Sequence, residues 1–265
     1  MNFIHATIIG IVEGLTEFLP VSSTAHMIIG SKLMGIKPSD FTKTFEIVIQ
    51  LGAILAVVIL YIKQLLNWQN IKKLIVAFIP TAIIGFTLYQ LVKSYLMENL
   101  TVIVWALIIG GLILIIFEKF HTKETNPEEG SGIQDISYKQ CLYIGLFQAL
   151  AIVPGVSRSA ATIIGGLALG LKRRTIVEFS FLLAVPTMIA ASGLDLLKNS
   201  QNISAAEFGL LGVGFITAFI VGGLSVKFFI KYIQKYNFIP FGIYRVIIGL
   251  ALLLFFGLNL ILPMY

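Results

Sequence analysis

The chain has 265 residues, of which 57% are hydrophobic and only 12% charged, and its mean hydropathy is +0.94. Soluble domains carry roughly a quarter charged residues, and no water-soluble core could hide this much apolar surface, so lipid is part of the solvent. The formal net charge of +6 does not indicate nucleic acid, because the basic residues fall in short segments between long apolar runs; topology signalling and lipid headgroup contact account for them.

The first segment, MNFIHATIIGIVEGLTEF, is apolar but has no basic leader and no small-residue cleavage site, and Glu13 and Glu17 interrupt it. It reads as retained structure. Around Pro20 the apolar pieces are short and broken, which predicts two half-helices that enter and leave the membrane from one side. Full spans are then expected near 44–62, 74–92 and 100–118. A polar loop at 119–138, with Pro127, Gly130 and Gly132, divides the chain near its middle. A second broken pair surrounds Pro154, and further spans are expected near 176–197, 206–227 and 239–260. Cys141 is the single cysteine, so no internal disulfide can form, and it reads as a small buried apolar residue.

The two halves echo each other at a shift of 135 residues. Gly10-Ile-Val-Glu13 meets Gly145-Leu-Phe-Gln148, Val21-Ser22-Ser23-Thr24-Ala25 meets Val156-Ser157-Arg158-Ser159-Ala160, and Ile28-Ile29-Gly30 meets Ile163-Ile164-Gly165. The expected fold is therefore all-α and polytopic: one membrane domain, 1–265, with repeat one at 1–118 and repeat two at 139–265. Each repeat is a re-entrant helix pair plus three transmembrane helices. Three is odd, so the second repeat is inverted. Twelve of the 19 Lys and Arg residues fall at 63–73, 118–139, 171–175 and 227–235, all on one side in this scheme. The positive-inside rule makes that side cytoplasmic and places both termini outside.

The polar residues inside apolar segments are candidates for chemistry, since charge at membrane depth is costly. Glu13 and Glu17, four residues apart, share a helix face. Pro20 breaks the first half-helix, and Ser22, Ser23 and Thr24 stand at the start of the next, where hydroxyls cap and free N–H groups bind phosphate. His26 lies about one turn past Ser23. In the second motif Gly155 permits a tight turn, Arg158 can grip a phosphate with its fork, and Ser157, Ser159 and Thr162 add hydroxyls. Glu46, which shares a face with Gln50, is a weaker candidate, and Arg245 reads as structural or snorkelling. Hydroxyl nucleophiles, acids, an imidazole and an arginine together suit phosphoryl transfer.

The stretch Glu13-Gly-Leu-Thr-Glu17-Phe-Leu-Pro-Val-Ser-Ser-Thr-Ala-His26 resembles the first signature of the undecaprenyl-diphosphate phosphatases, also called bacitracin-resistance proteins. Pro154-Gly-Val-Ser-Arg-Ser-Ala-Ala-Thr162 resembles the second. The similarity continues through Lys43-Thr-Phe-Glu46-Ile-Val-Ile-Gln50, Phe179-Ser-Phe-Leu-Leu-Ala-Val-Pro186 and Phe238-Ile-Pro-Phe-Gly-Ile-Tyr-Arg245. Ala25 and Ala160 stand where the family pattern has glycine. The resemblance implies hydrolysis of undecaprenyl diphosphate to the monophosphate carrier lipid, in a bacterial plasma membrane, with the active site open to the outer face. It implies a divalent cation, Mg2+ or another such as Ca2+, at Glu13 and Glu17. Ser23 or a water would attack, His26 would act as base or acid, and Arg158 would bind phosphate with Ser22, Thr24, Gly155, Ser157, Ser159 and Thr162 around it. The partners implied are the polyprenyl diphosphate and membrane lipid, with a homodimer left open. A transporter of polyprenyl phosphate is the rival reading; it needs charge recognition, but not a nucleophile and base together.

Overall fold

The computed structural model describes residues 1–96, 99–120, 132–199 and 205–261. Its regular elements are all helical: α1 (Phe3–Thr16), α2 (Ser23–Leu33), α3 (Asp40–Leu60), α4 (Ile62–Leu65), α5 (Trp68–Leu91), α6 (Leu100–Phe120), α7 (Tyr138–Ala149), α8 (Arg158–Ala168), α9 (Arg173–Asn199), α10 (Ala205–Ile233) and α11 (Ile239–Ile261). Five of them, α3, α5, α6, α9 and α10, contain stretches long and apolar enough to cross a membrane; α1 and the described part of α11 are shorter apolar helices. Exposed mid-helix side chains such as Ile83, Phe86, Ile109 and Ile220 form an apolar exterior, while Glu13, Gln148 and Arg245 are buried within. This is the inside-out arrangement that lipid demands.

Local chemistry sets the helix starts. Asn2 caps α1 by accepting from the His5 amide, and capping boxes open α3 (Ser39 with Thr42) and α7 (Ser137 with Gln140). Each satisfies amides that the first turn leaves without partners. Helices stand at all six expected spans, five of them long and apolar enough to cross, and several have longer ends than expected. Because α5 begins at Trp68 and α10 runs to Ile233, Lys72, Lys73, Lys227 and Lys231 sit on helices rather than in loops. Hydropathy marks the stretch that suits lipid; the helix itself continues until a cap or turn ends it. Residues 121–131 of the expected polar loop lie outside the described residues, as do the side chains of Lys93 and Lys198.

Close contacts give the helix directions. Phe3, Gly10 and Gly14 of α1 lie against Gly209, Gly214 and Gly222 of α10, in that order. Phe45 and Ala53 of α3 meet Gly214 and Gly222, so α1, α3 and α10 all run the same way. Gly10 and Gly14 permit this approach: a methyl at Gly10 would lie 2.8 Å from the Gly214 carbonyl oxygen. The same construction recurs at Gly145, where α7 lies on the backbone of α5 beside Ala77. There Lys73 donates to the carbonyls of Ile133 and Gln134, and the Thr81 hydroxyl donates to the Gly145 carbonyl, so α5 and α7 also run together.

Polar contacts also gather further helices at the end marked by Lys73. Glu118, at the end of α6, forms a two-pronged ion pair with Arg173 at the start of α9 and accepts from the Phe238 amide ahead of α11. The core between them is aromatic: Phe181 packs edge-on against Phe18 at 5.5 Å and also touches Phe229, which in turn meets Phe238. Phe18 adjoins Glu17 and Phe181 adjoins Ser180, so this cluster fixes two segments that carry polar groups.

Candidate active site

Two interrupted helix pairs supply the site. In the first, α1 ends at Thr16, the chain turns through Pro20, and α2 starts at Ser23. In the second, α7 is followed by a short 3-10 turn at Leu150–Ile152, and α8 starts at Arg158. Ser22 and Ser157 occupy the same unusual backbone state, each with φ of 73°. Non-glycine residues rarely enter the left-handed region, and such strain gathers at working sites. Gly155, with φ of 93°, makes the second turn, and its bare Cα lies close to the Ile103 carbonyl.

Arg245 ties the two turns together. It is fully buried, and its guanidinium donates to Pro20 O (3.2 Å), Gly155 O (2.9 Å), Val156 O (3.0 Å) and Ala106 O (3.0 Å). Broken helices leave carbonyls without partners, and a planar donor fork can serve several at once. The role is structural, with no snorkelling to the interface. Ser159 adds a second tie by donating to Phe18 O at 2.8 Å.

Glu17 is the hub of the reactive groups. One carboxylate oxygen accepts from the Ser23 hydroxyl at 2.6 Å, and the other accepts from Arg158 at 3.1 Å. Arg158 also donates to the Ser180 carbonyl at 2.9 Å, which fixes its fork. The Ser180 hydroxyl bonds Thr162 at 2.6 Å. Glu13 is fully buried on α1, and neither of its oxygens has a hydrogen-bond partner among the described residues. It lies within electrostatic reach of Glu17, Glu46 and Arg158.

Five residues singled out in the sequence, Glu13, Glu17, Ser23, Arg158 and Glu46, are thus brought together across four helices and a turn. The hydroxyls differ in state. Ser157 caps α8 by accepting from the Ala160 amide, whereas the Ser22 side chain makes no capping bond. Ser159 and Thr162 are engaged by the protein, and Thr24 is half-buried in the first turn of α2. His26 does not turn toward Ser23. Its Nδ1 meets Ser22 O and its Nε2 meets the Tyr244 hydroxyl, both at 2.7 Å. Sequence reasoning missed Tyr244 and Ser180. The available signals were a serine inside the apolar run Phe179–Leu183 and a tyrosine beside the buried Arg245.

Among the described residues no three His, Cys, Asp or Glu side chains cluster as metal ligands. Two carboxylates, one without any hydrogen-bond donor, do fit a cation that takes its remaining ligands from water and substrate phosphate, as Mg2+ commonly does.

Taken together, these features define a multi-pass helical membrane protein with a buried acid–serine–arginine centre. A family model described as bacitracin resistance protein BacA matches residues 6–251. The chain is 51% identical over 259 residues to an undecaprenyl-diphosphatase of Wolinella succinogenes, covering 97% of this chain and all of that protein. It is 51% identical over 255 residues to one of Bdellovibrio bacteriovorus, with 96% of each covered. With one of Aquifex aeolicus it shares 47% over 253 residues, covering 95% of this chain and 98% of that protein. The chain belongs to the BacA bacitracin-resistance family.

Proposed function

We propose that this protein is an integral membrane phosphatase that hydrolyses undecaprenyl diphosphate to undecaprenyl phosphate and inorganic phosphate. It thereby recycles the carrier lipid for cell-wall synthesis and confers bacitracin resistance. The observation that carries the reading is Glu17 accepting from the Ser23 hydroxyl while it pairs with Arg158. A nucleophile in hydrogen-bond contact with its base, beside a phosphate-gripping fork, is the arrangement phosphoryl transfer requires. A carrier of polyprenyl phosphate would need Arg158 but not the Ser23–Glu17 contact.

In this reading Arg158 binds the terminal phosphate and Glu17 takes the proton of the attacking hydroxyl. On the covalent route Ser23 Oγ bonds to the terminal phosphorus as the bridging P–O bond breaks; undecaprenyl phosphate leaves, and water then releases the phosphate. On the direct route a water attacks in place of Ser23. Glu13 and Glu17 would hold a divalent cation, Mg2+ by preference, which when bound neutralises charge on the diphosphate. Ser22, Thr24, Ser157 and the turn at Gly155 line the phosphate position, while Ser159 and Thr162 brace it.

The architecture we propose is a pair of inverted repeats, each a re-entrant pair (α1–α2, α7–α8) followed by three crossing helices. Several contacts support it. Shared directions of α1, α3 and α10 require α2 to return the chain to the end where it began. The packing of α1 on α10 is repeated by α7 on α5. By the positive-inside rule the basic residues near Lys73, Arg173 and Lys231 support a cytoplasmic side at that end, with both termini and the mouth of the site outside in this reading.

Phosphate release from undecaprenyl diphosphate by the detergent-purified protein, with and without magnesium, is the test. Metal-dependent release that disappears in Glu17→Gln and Arg158→Ala supports the reading. A well-folded wild type that releases none, across several metals, would shift the weight to a carrier.

A further inference from the structure

The histidine in this site is held from both sides. His26 Nδ1 lies 2.7 Å from the Ser22 carbonyl oxygen. A carbonyl can only accept, so Nδ1 carries a hydrogen. In the neutral ring Nε2 is then an acceptor, and the group facing it at 2.7 Å is the Tyr244 hydroxyl, which donates. The two rings stack at 5.5 Å with only 10° between their planes, so the phenol also fixes the plane of the imidazole. Tyr244 itself sits on firm ground. It precedes Arg245, whose guanidinium grips both turns of the site.

The far end of this relay is the strained residue. Ser22 O accepts both from His26 Nδ1 and from the His26 amide, at 3.3 Å. Ser22 holds the left-handed backbone that presents Ser23 at the start of α2. In the other half Ser157 caps its helix with its own hydroxyl, but Ser22 makes no such bond. At Ser22 it is the backbone carbonyl that is tied, by the imidazole.

We propose that Tyr244 is a positioning residue for the phosphatase reaction: its hydroxyl, bonded to Nε2, holds the His26 ring so that Nδ1–H meets the Ser22 carbonyl, and through that bond it steadies the turn that presents Ser23. The proposal rests on the function given above. Among the described residues the hydrogen bond of Tyr244 goes to His26, and it acts through that residue.

The experiment uses the full chain in lipid vesicles, in a background with His5→Gln and His121→Gln so that His26 is the single imidazole. Nitrogen-15 NMR reads its tautomer, and phosphate release reads turnover. In the Tyr244 protein one Nδ1–H tautomer is expected. Tyr244→Phe keeps the ring stack but removes the donor, so a mixture of tautomers should appear, with kcat lowered about three- to tenfold and KM within about twofold, the size of one lost hydrogen bond. In a His26→Gln background the same change should cost nothing further, because the relay is already cut. An unchanged tautomer and kcat in Tyr244→Phe, or a loss that simply multiplies with that of His26→Gln, overturns the proposal. If the Tyr244 protein releases no phosphate, the phosphatase reading fails and the catalytic half of the proposal goes with it. The NMR signal still decides separately whether Tyr244 holds the ring.

Discussion

The two interrupted helix pairs have nearly the same backbone and opposite chemistry. Gly10 and Gly145 sit at equivalent crossings, and Ser22 and Ser157 share a φ of 73°. Yet where the first pair has Glu13, Glu17 and Ser23, the second has Gln148, Ile152 and Arg158. Gln148 is as buried as Glu13, but its amide donates to Thr81 at 2.9 Å and Thr187 at 3.1 Å, while neither oxygen of Glu13 accepts a hydrogen bond. In the proposed reaction this is a division of labour: one copy of the turn would carry the base and nucleophile, and the other the arginine and the bracing hydroxyls. Among the described residues only the first keeps a carboxylate without a hydrogen-bond partner, and the proposed cation would have charge to neutralise there.

The comparison can be broken most forcefully at Glu17. Glu17→Gln removes the base from Ser23 and the partner from Arg158, so kcat should fall about 10²- to 10⁴-fold, read as phosphate release. Retention of turnover there would mean that the first turn does not hold the base. Ser23→Ala separates the two routes: near-normal turnover would leave only direct attack by water. Arg158→Lys tests the second turn. A point charge replaces the fork, so a loss on the order of 10²-fold in kcat/KM is expected, with Glu17 left less well oriented.

Arg245→Gln asks whether the turns depend on one another. It leaves several buried carbonyls without donors, at about 1–3 kcal/mol each before relaxation. Thermal unfolding in detergent should show a clear loss of stability, and activity should fall with it because both turns loosen. Gln148→Glu tests the division directly. The new carboxylate loses the donations to Thr81 and Thr187, so a destabilisation of about 1–3 kcal/mol is expected, with kcat of the folded fraction little changed. Restoring glycine at Ala25 and Ala160 should have the smallest effect, under about twofold in kcat, since each change removes one buried methyl from a helix that is already formed.

Much of this protein could be read along the chain. Long apolar stretches locate the crossing helices, because lipid leaves a backbone no alternative to internal hydrogen bonding. Proline and paired polar residues locate both interruptions, and Glu13, Glu17, Ser23 and Arg158 stand out as charge or hydroxyl where lipid penalises them. Helix ends were less legible: Trp68 and Ile233 extend α5 and α10 past the apolar runs, since a helix stops at a cap and not where hydropathy falls.

The arrangement of the site was decided by the tertiary structure. Arg158 reaches Glu17 across 141 positions, and Arg245 reaches Pro20 across 225. No local periodicity encodes which of two acids an arginine will choose, or that His26 faces Tyr244 rather than Ser23. Those choices follow from packing: the edge-on contact of Phe18 with Phe181, the glycines that let α1 lie on α10, and the buried guanidinium that holds both turns. The residue types and their spacing mark a membrane protein with a polar centre that suits the proposed phosphate chemistry. The helix crossings determine which side chains meet, because hydrogen bonds form only over about 3 Å and only the folded chain brings these distant segments that close.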